Sequence, residues 1–354
     1  MGRVTDYVSP LRASAQQPDV QERLFGDAPK PITSIYSADD VIEEVFRYYR
    51  ANGFPYRRLA KHECMAAINK LALMDEKTLL GTTLGYDVAD TYHWHRFDSH
   101  AAGKRSPRAA FEDDDLLRRA IKQVVRFNYP LNDSSIIWAV SMVSGTQACA
   151  NFRPGFALAI YRKFGVHGGN VLDMSSGYGG RLVGWMASGL GGSYTGVDPS
   201  TAACAANDLM ARDLGYANVR QHEERAEVVN LYETYDLAFT SPPYFTKEQY
   251  GWNELTEPLQ SWWRYPLADD WRKGFLEPML ERTFLYLRSE AHCILNVQDV
   301  KIKTKVYPLT EWTVEAALRA GFVRTEHDLE LRFTHRFGSA IEGTTEPVFV
   351  FRKP

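Results

Sequence analysis

The sequence predicts an α/β protein: a mostly parallel sheet with helices on both faces, preceded by a mainly helical N-terminal region. Three observations predict it. From about residue 170, short apolar runs alternate with helical patterns, as crossover units require. The first run, Val171-Leu172, ends in Asp173 and meets a turn holding Gly177, Gly179 and Gly180 before an apolar stretch from Leu182 to Met186. Ahead of residue 150, apolar positions recur at helical spacing without that alternation.

Residues 1–34, rich in Pro, Gln and Arg, read as an extended or poorly ordered arm. Ser37 then caps a helix whose Val41, Val45, Phe46 and Tyr49 share one face, and Asn52-Gly53-Phe54-Pro55 stops it. Residues 56–90 read as helical, with Leu59, Cys64, Ala67, Leu71 and Leu73 as core candidates. Tyr92-His93-Trp94-His95-Arg96-Phe97, with His100, forms an aromatic, basic loop suited to stacking on or clamping a substrate. No acid or cysteine stands at a spacing that would complete a metal site with these histidines, so no metal is expected. In Lys104-Arg105-Ser106-Pro107-Arg108 the cations Lys104, Arg105 and Arg108 are candidates for phosphate contact. The alternative is a solvated surface balanced by the acids from Glu112 to Asp115. A helix from about Asp113 and an apolar helix over 132–150 complete a helical domain at 35–145, a region suited to substrate recognition.

The second domain spans 146–354. A helix from Pro154 to Phe164 precedes strands at 170–175, 193–198, 217–221, 235–240 and 291–297, with helices between them. The glycine turn is not a P-loop, since no Gly-Lys-Ser/Thr follows, and Leu182 stands where a dinucleotide turn needs its third glycine. The second strand ends in Asp198, where an acid can take both hydroxyls of a ribose. The strand at 235–240 runs directly into Ser241-Pro242-Pro243-Tyr244. Further on, Lys301, Lys303 and Lys305 alternate with apolar residues just after a strand.

Length and composition set the limits. At 354 residues, with 45% hydrophobic and 24% charged residues, the chain has ample material for a core. A net charge of −3 excludes a global basic field, so any nucleic-acid surface must be local. Cys64, Cys149, Cys204 and Cys293 are scattered with no Cys-x-x-Cys pair, as expected of reduced thiols. No signal-peptide core and no long apolar stretch is visible, so a soluble, cytoplasmic protein without a membrane partner is expected.

A glycine turn followed by a strand-ending Ser-Pro-Pro-Tyr resembles the S-adenosylmethionine-dependent amino-methyltransferases of the DNA N4-cytosine and N6-adenine type. Their fourth motif, Asp/Asn/Ser-Pro-Pro-Tyr/Phe/Trp, is matched by Ser241 to Tyr244, and their first motif by Asp173 to Gly179. A Phe-rich tenth motif is matched by Asn151-Phe152-Arg153-Pro154-Gly155-Phe156. The resemblance covers roughly residues 145–354. It departs at Ser175-Ser176-Gly177-Tyr178-Gly179, where the family has Phe/Asp-x-Gly-x-Gly, so Asp173 would carry the acidic role.

The resemblance implies a class I methyltransferase, Rossmann-like sheet whose last strands form an antiparallel hairpin, and S-adenosylmethionine as cofactor. Ser175, Gly177 and Gly179 would approach its methionine part, and Asp173 would meet its ammonium group or order a water. Phe152 and Pro154 would close over that end, Asp198 would take the ribose, and Glu224 (or Glu223) would meet the adenine amine. Ser241 Oγ and the Pro242 carbonyl would accept from the target amine. Pro242 and Pro243 fix the backbone there, and Tyr244 would stack on a flipped-out base. Lys301 and Lys303 join Lys104, Arg105 and Arg108 as candidate phosphate contacts. The implied reaction is methylation of an exocyclic base amine in DNA, with Ser241 leaning towards N4-cytosine. RNA, a protein amide or a small molecule as substrate stays open, as does a degenerate nucleic-acid-binding protein. The residues leave the oligomeric state open.

Overall fold

A computed structural model describes residues 37–250, 257–326, 329–334 and 340–354. The expected arm at 1–34 lies outside these residues. Ahead of residue 150 the helices are α1 (Ala38–Asn52), α2 (Lys61–Ala72), α3 (Glu76–Gly81), α4 (Tyr86–Tyr92), α5 (Pro107–Glu112), α6 (Asp114–Arg126) and α7 (Asp133–Met142). Two compact units form. Of the described residues, one takes 37–60 and Trp94–Cys149, and the other takes Lys61–His93 and those from Ala150 on.

In the first unit α1, α5, α6 and α7 enclose a core of Val41, Val45, Phe46, Phe111, Leu117, Ile121, Ile136 and Val140. The helix starts follow the capping rules. Ser37 accepts from Asp40 N, and Asp113 accepts from the N–H groups of Asp115 and Leu116. Burial here pushes the His95 imidazole down to about 4, with Arg96 adding to the effect.

The second unit differs from the expected boundary, because α2–α4 side with the sheet. The reason is packing that periodicity alone cannot reveal. A Cβ on Gly155 would stand 2.5 Å from the Leu79 carbonyl oxygen, so α3 lies directly on the helix Pro154–Phe164. Arg162 donates to the carbonyls of Ala72 (2.6 Å) and Met74 (2.7 Å), holding the end of α2.

That unit continues with α8 (Pro154–Phe164), β1 (Asn170–Asp173), α9 (Gly180–Ser188), β2 (Ser193–Asp198), α10 (Thr201–Leu214), β3 (Val219–Glu223) and β4 (Tyr235–Thr240). Then come α11 (Glu277–Tyr286), β5 (Leu287–Asn296), β6 (Val300–Ile302), β7 (Lys305–Tyr307) and α12 (Leu309–Ala320). It closes with β8 (Val323–Arg324), β9 (Leu329–Thr334) and β10 (Ala340–Arg352). The sheet order is β3-β2-β1-β4-β5-β10-β8, with β9 also on β10. Strands β1 to β5 pair in parallel, and β10 runs antiparallel to β5, β8 and β9. This is the class I methyltransferase topology, including the reversed strand inserted next to β5. Leu172, Val197, Ala238, Leu280, Cys293, Leu295, Ala316 and Phe351 belong to one buried cluster of this unit. Among the described residues, no helix is long and apolar enough to cross a membrane.

The strand order reverses between β1 and β4, and open sheets of this kind bind ligands outside the carboxyl ends of the strands at such a point. Asp173 ends β1, Asp198 ends β2, Thr240 ends β4 and Asn296 ends β5, so all four mark one edge of the sheet.

Candidate active site

The glycine turn is built on a buried ion pair. Asp173 is fully buried, and Arg181 from the first turn of α9 forks onto it, Nε–Oδ2 2.7 Å and Nη2–Oδ1 3.2 Å. The Tyr194 hydroxyl donates to Oδ2 at 2.6 Å and Ser175 N to Oδ1 at 3.2 Å. Burial opposes the charge on Arg181, yet the adjacent carboxylate outweighs it and raises the guanidinium pKa. Here the structure corrects the expected role of Asp173. Both its oxygens are engaged inside the protein, so it anchors the turn instead of meeting a ligand's ammonium group. Ser175 is half-buried, its Oγ donating to the Met174 carbonyl at 2.8 Å.

Next to that pair the turn leaves room beside Gly177. Gly177 has φ +51°, and a Cβ added there would find only the Ser175 carbonyl oxygen at 3.6 Å. Gly180 answers a different need, since its Cβ would lie 2.0 Å from the Phe152 carbonyl oxygen. The segment 151–152 is therefore seated directly against the turn. Asn151 Oδ1 accepts from Gly180 N (3.2 Å), and its Nδ2 donates to the Tyr178 carbonyl (2.9 Å). The Phe152 ring meets Phe239 edge to face at 5.4 Å with the Arg181 guanidinium 5.5 Å from its centroid. Pro154 is buried at the start of α8, and a Cβ on Gly85 would stand 2.9 Å from it.

Behind the turn lies a polar network with no motif of its own. Asn207 of α10 donates from Nδ2 to the Gly177 carbonyl (3.2 Å), and its Oδ1 faces His93 Nε2 at 2.9 Å. Ser176 Oγ donates to Gln221 Oε1 at 2.9 Å. His93 thus belongs to the support of the turn, whereas His95 and His100 belong to the other unit. Among the described residues, no group of three or more His, Cys, Asp or Glu is arranged to hold a metal ion.

Asp198 joins the turn from β2. Its Oδ2 accepts from Gly177 N and its Oδ1 from Ser200 N, both at 2.9 Å. Burial pushes the carboxyl up to about 6 against the pull of those two N–H groups. One strand over, Glu223 accepts from the Thr201 hydroxyl at 2.6 Å. Glu224 is exposed, with its carboxylate accepting from Arg225 N at 2.9 Å.

The Ser-Pro-Pro-Tyr segment leaves the end of β4 on the same edge. The Ser241 hydroxyl stands 3.4 Å and the Tyr244 hydroxyl 3.2 Å from one atom, Asn296 Oδ1. Phe245 N donates to the Pro243 carbonyl (3.0 Å), and Lys247 N to the Tyr244 carbonyl (3.1 Å). Phe245 has φ +53°, uncommon for a bulky residue, and its ring is held between Trp271 (5.9 Å) and Tyr307 (5.0 Å). Glu248 follows. Burial raises its pKa against the Tyr250 hydroxyl, Lys247 and the N–H groups of Ala150 and Tyr244.

The candidate phosphate contacts divide. Arg105 pairs with Asp113 at 2.9 Å, and Arg108 with Glu112 at 3.3 Å and Asp98 at 3.7 Å, so both are largely neutralised within their own unit. Lys104 is exposed. Lys301 and Lys303 are exposed on the β6–β7 hairpin, with Lys303 in its turn at φ +56°. Tyr307 connects that hairpin to Phe245 and so to the Ser-Pro-Pro-Tyr segment.

Neither a family model nor a curated protein matches the chain. Among solved structures it is similar to a methyltransferase from Pyrococcus furiosus, at 16% identity over 56% of this chain and 82% of that one, TM-score 0.39. It is also similar to TrmN from Thermus thermophilus, at 17% identity over 57% of this chain and 49% of that one, TM-score 0.37. The [4+2]-cyclase SpnF resembles it at 12% identity over 57% of this chain and 81% of that one, TM-score 0.42. These likenesses concern the fold, and one fold hosts several chemistries.

Proposed function

We propose that the chain transfers a methyl group from S-adenosylmethionine to the exocyclic amine of a base in DNA, N4 of cytosine or N6 of adenine. One observation carries the reading. The hydroxyls of Ser241 and Tyr244 converge at the end of β4, beside the strand whose end carries the open Gly177 backbone tied to Asp198.

The residues present fit the cofactor. The space beside Gly177 admits close approach of a ligand, and a carboxylate at the end of β2 suits two hydroxyl donors. When bound, S-adenosylmethionine supplies an electrophilic methyl group. The protein's part is to prepare the amine. Its lone pair is delocalised into the ring, and acceptors on its hydrogens favour the pyramidal nitrogen that can attack. Ser241 Oγ and the Pro242 carbonyl fill that role, and Ser241 holds one of the protons that the nitrogen later sheds to water. Tyr244 offers a face for the extruded base. Lys301 and Lys303 hold phosphates near the pocket.

A second reading, the same chemistry on RNA or a protein amide, is favoured by the self-neutralised Arg105 and Arg108. Nucleoside and peptide mass spectrometry after incubation with S-adenosylmethionine and DNA, RNA or protein tests both. Methylcytosine or methyladenine in DNA is the expected product. Methyl groups appearing in RNA or protein alone would give the second reading the field.

A further inference from the structure

We infer that Asn296 is a positioning residue that fixes the Ser241 hydroxyl as a hydrogen-bond acceptor toward the target amine. The inference rests on the amine-methylation reading and adds the device that sets the polarity of its key group.

Asn296 is buried at the end of β5, across from Val348 of β10. Its Nδ2 donates to the Pro347 carbonyl at 3.2 Å. A carbonyl only accepts, so this bond decides which end of the amide faces which way. Oδ1 is thereby directed at Ser241 Oγ and Tyr244 Oη. An amide oxygen also only accepts, so both hydroxyls must donate to it.

A serine hydroxyl has one proton and two lone pairs. With the proton committed to Asn296, only lone pairs remain for the substrate. An exocyclic amine presents N–H donors, so this is the matching polarity. A freely rotating hydroxyl would spend part of its time offering a proton instead. The asparagine amide carries no charge and does not titrate near neutral pH, so the setting does not change with pH. The same oxygen holds the Tyr244 hydroxyl, which indexes the stacking ring to the acceptor. Contacts of 3.2–3.4 Å are long for hydroxyl donors, and catalytic hydrogen bonds of ligand-free sites commonly tighten once substrate arrives.

The test uses the full chain carrying Asn296→Ala, Ser241→Ala and both together. Thermal melting, calorimetry with S-adenosylmethionine and single-turnover methylation of DNA are measured on each. Asn296→Ala should slow the methyl-transfer step by about tenfold or more while the KM for DNA moves far less. Cofactor affinity should hold within about twofold, and adding Asn296→Ala to Ser241→Ala should cost less than about twofold further. A side chain that merely stabilises the strand end would give losses that multiply. Multiplying losses, or a wild-type rate in Asn296→Ala, would overturn the inference while leaving the methyltransferase reading intact. If Asn296→Ala does not melt cooperatively, Asn296→Ser is measured in its place under the same expectations. A wild-type chain that methylates no base amine overturns the reading and the inference together.

Discussion

Gly177 N and Asp198 Oδ2 stand 2.9 Å apart, so a single hydrogen bond ties the turn after β1 to the end of β2. The bond stabilises ionised Asp198, yet burial still holds its pKa up at about 6. Ligand hydroxyls donate more strongly to the carboxylate than to the acid form, which keeps fewer and weaker acceptor sites. Cofactor affinity should therefore fall as pH drops below about 6, by up to about tenfold per unit. Above that pH it should be flat. Calorimetry between pH 5 and 8 measures this, with Asp198→Asn expected to bind weakly at every pH. A flat wild-type profile would remove Asp198 from the ligand's reach. In the ligand-free protein the sign is opposite: a raised acid pKa means stability is lost as pH rises from the unfolded value through about 6.

Arg181 and Asp173 form a buried pair, and removing one partner leaves the other charged and unpaired. Arg181→Ala should lower unfolding free energy by about 3–5 kcal/mol. Asp173→Asn should lose stability and cofactor affinity together, because the turn loses its anchor. Denaturant titration beside calorimetry separates the possibilities. Lost affinity at unchanged stability would restore Asp173 as a direct ligand contact.

His95 is buried with its pKa at about 4, below the unfolded value of 6.5. The unfolded chain then binds more protons between those values, so stability present above pH 6.5 is lost as pH falls towards 4. The loss attributable to this group should approach about 3 kcal/mol. Urea unfolding of wild type and His95→Gln across pH 4–7 tests it, and identical pH slopes would refute the assignment.

Charge reversal at Lys301 and Lys303 should weaken DNA binding and flatten its salt dependence, since each phosphate contact releases counterions. Reversal at Arg105 and Arg108, already paired with Asp113 and Glu112, should change the slope less. Fluorescence anisotropy at several salt concentrations compares them. A larger effect at residues 105 and 108 would move the nucleic-acid surface to the helical unit.

The glycine turn and the strand end at Ser241 were legible because each is a local pattern: a strand end and a backbone requirement within a few positions. Asp173 was legible as important but not in its role. Its partner Arg181 begins the very next helix, and that opposite charge close to a buried acid was an available signal. Asn296, Asn207 and Gln221 carry no motif. Their meaning comes from residues distant in the chain, such as Pro347 for Asn296 and Gly177 for Asn207. Helical periodicity found α2–α4 but not their neighbours, because an apolar face does not say what it packs against.

The antiparallel β10 brings the Pro347 carbonyl to Asn296, and this gives the site an order of assembly in time. On a ribosome, β1, β2 and β3 emerge with the Asp173–Arg181 anchor and Asp198 already among them. The partners of the turn after β1 are thus all in the chain while Asn296 still lacks its carbonyl. Asn296 has no carbonyl to turn its amide until β10, the last strand of the sheet along the chain, has docked. In a chain made from its N-terminus, the Gly177–Asp198 link can therefore form first, and the strand written last completes the end of β5.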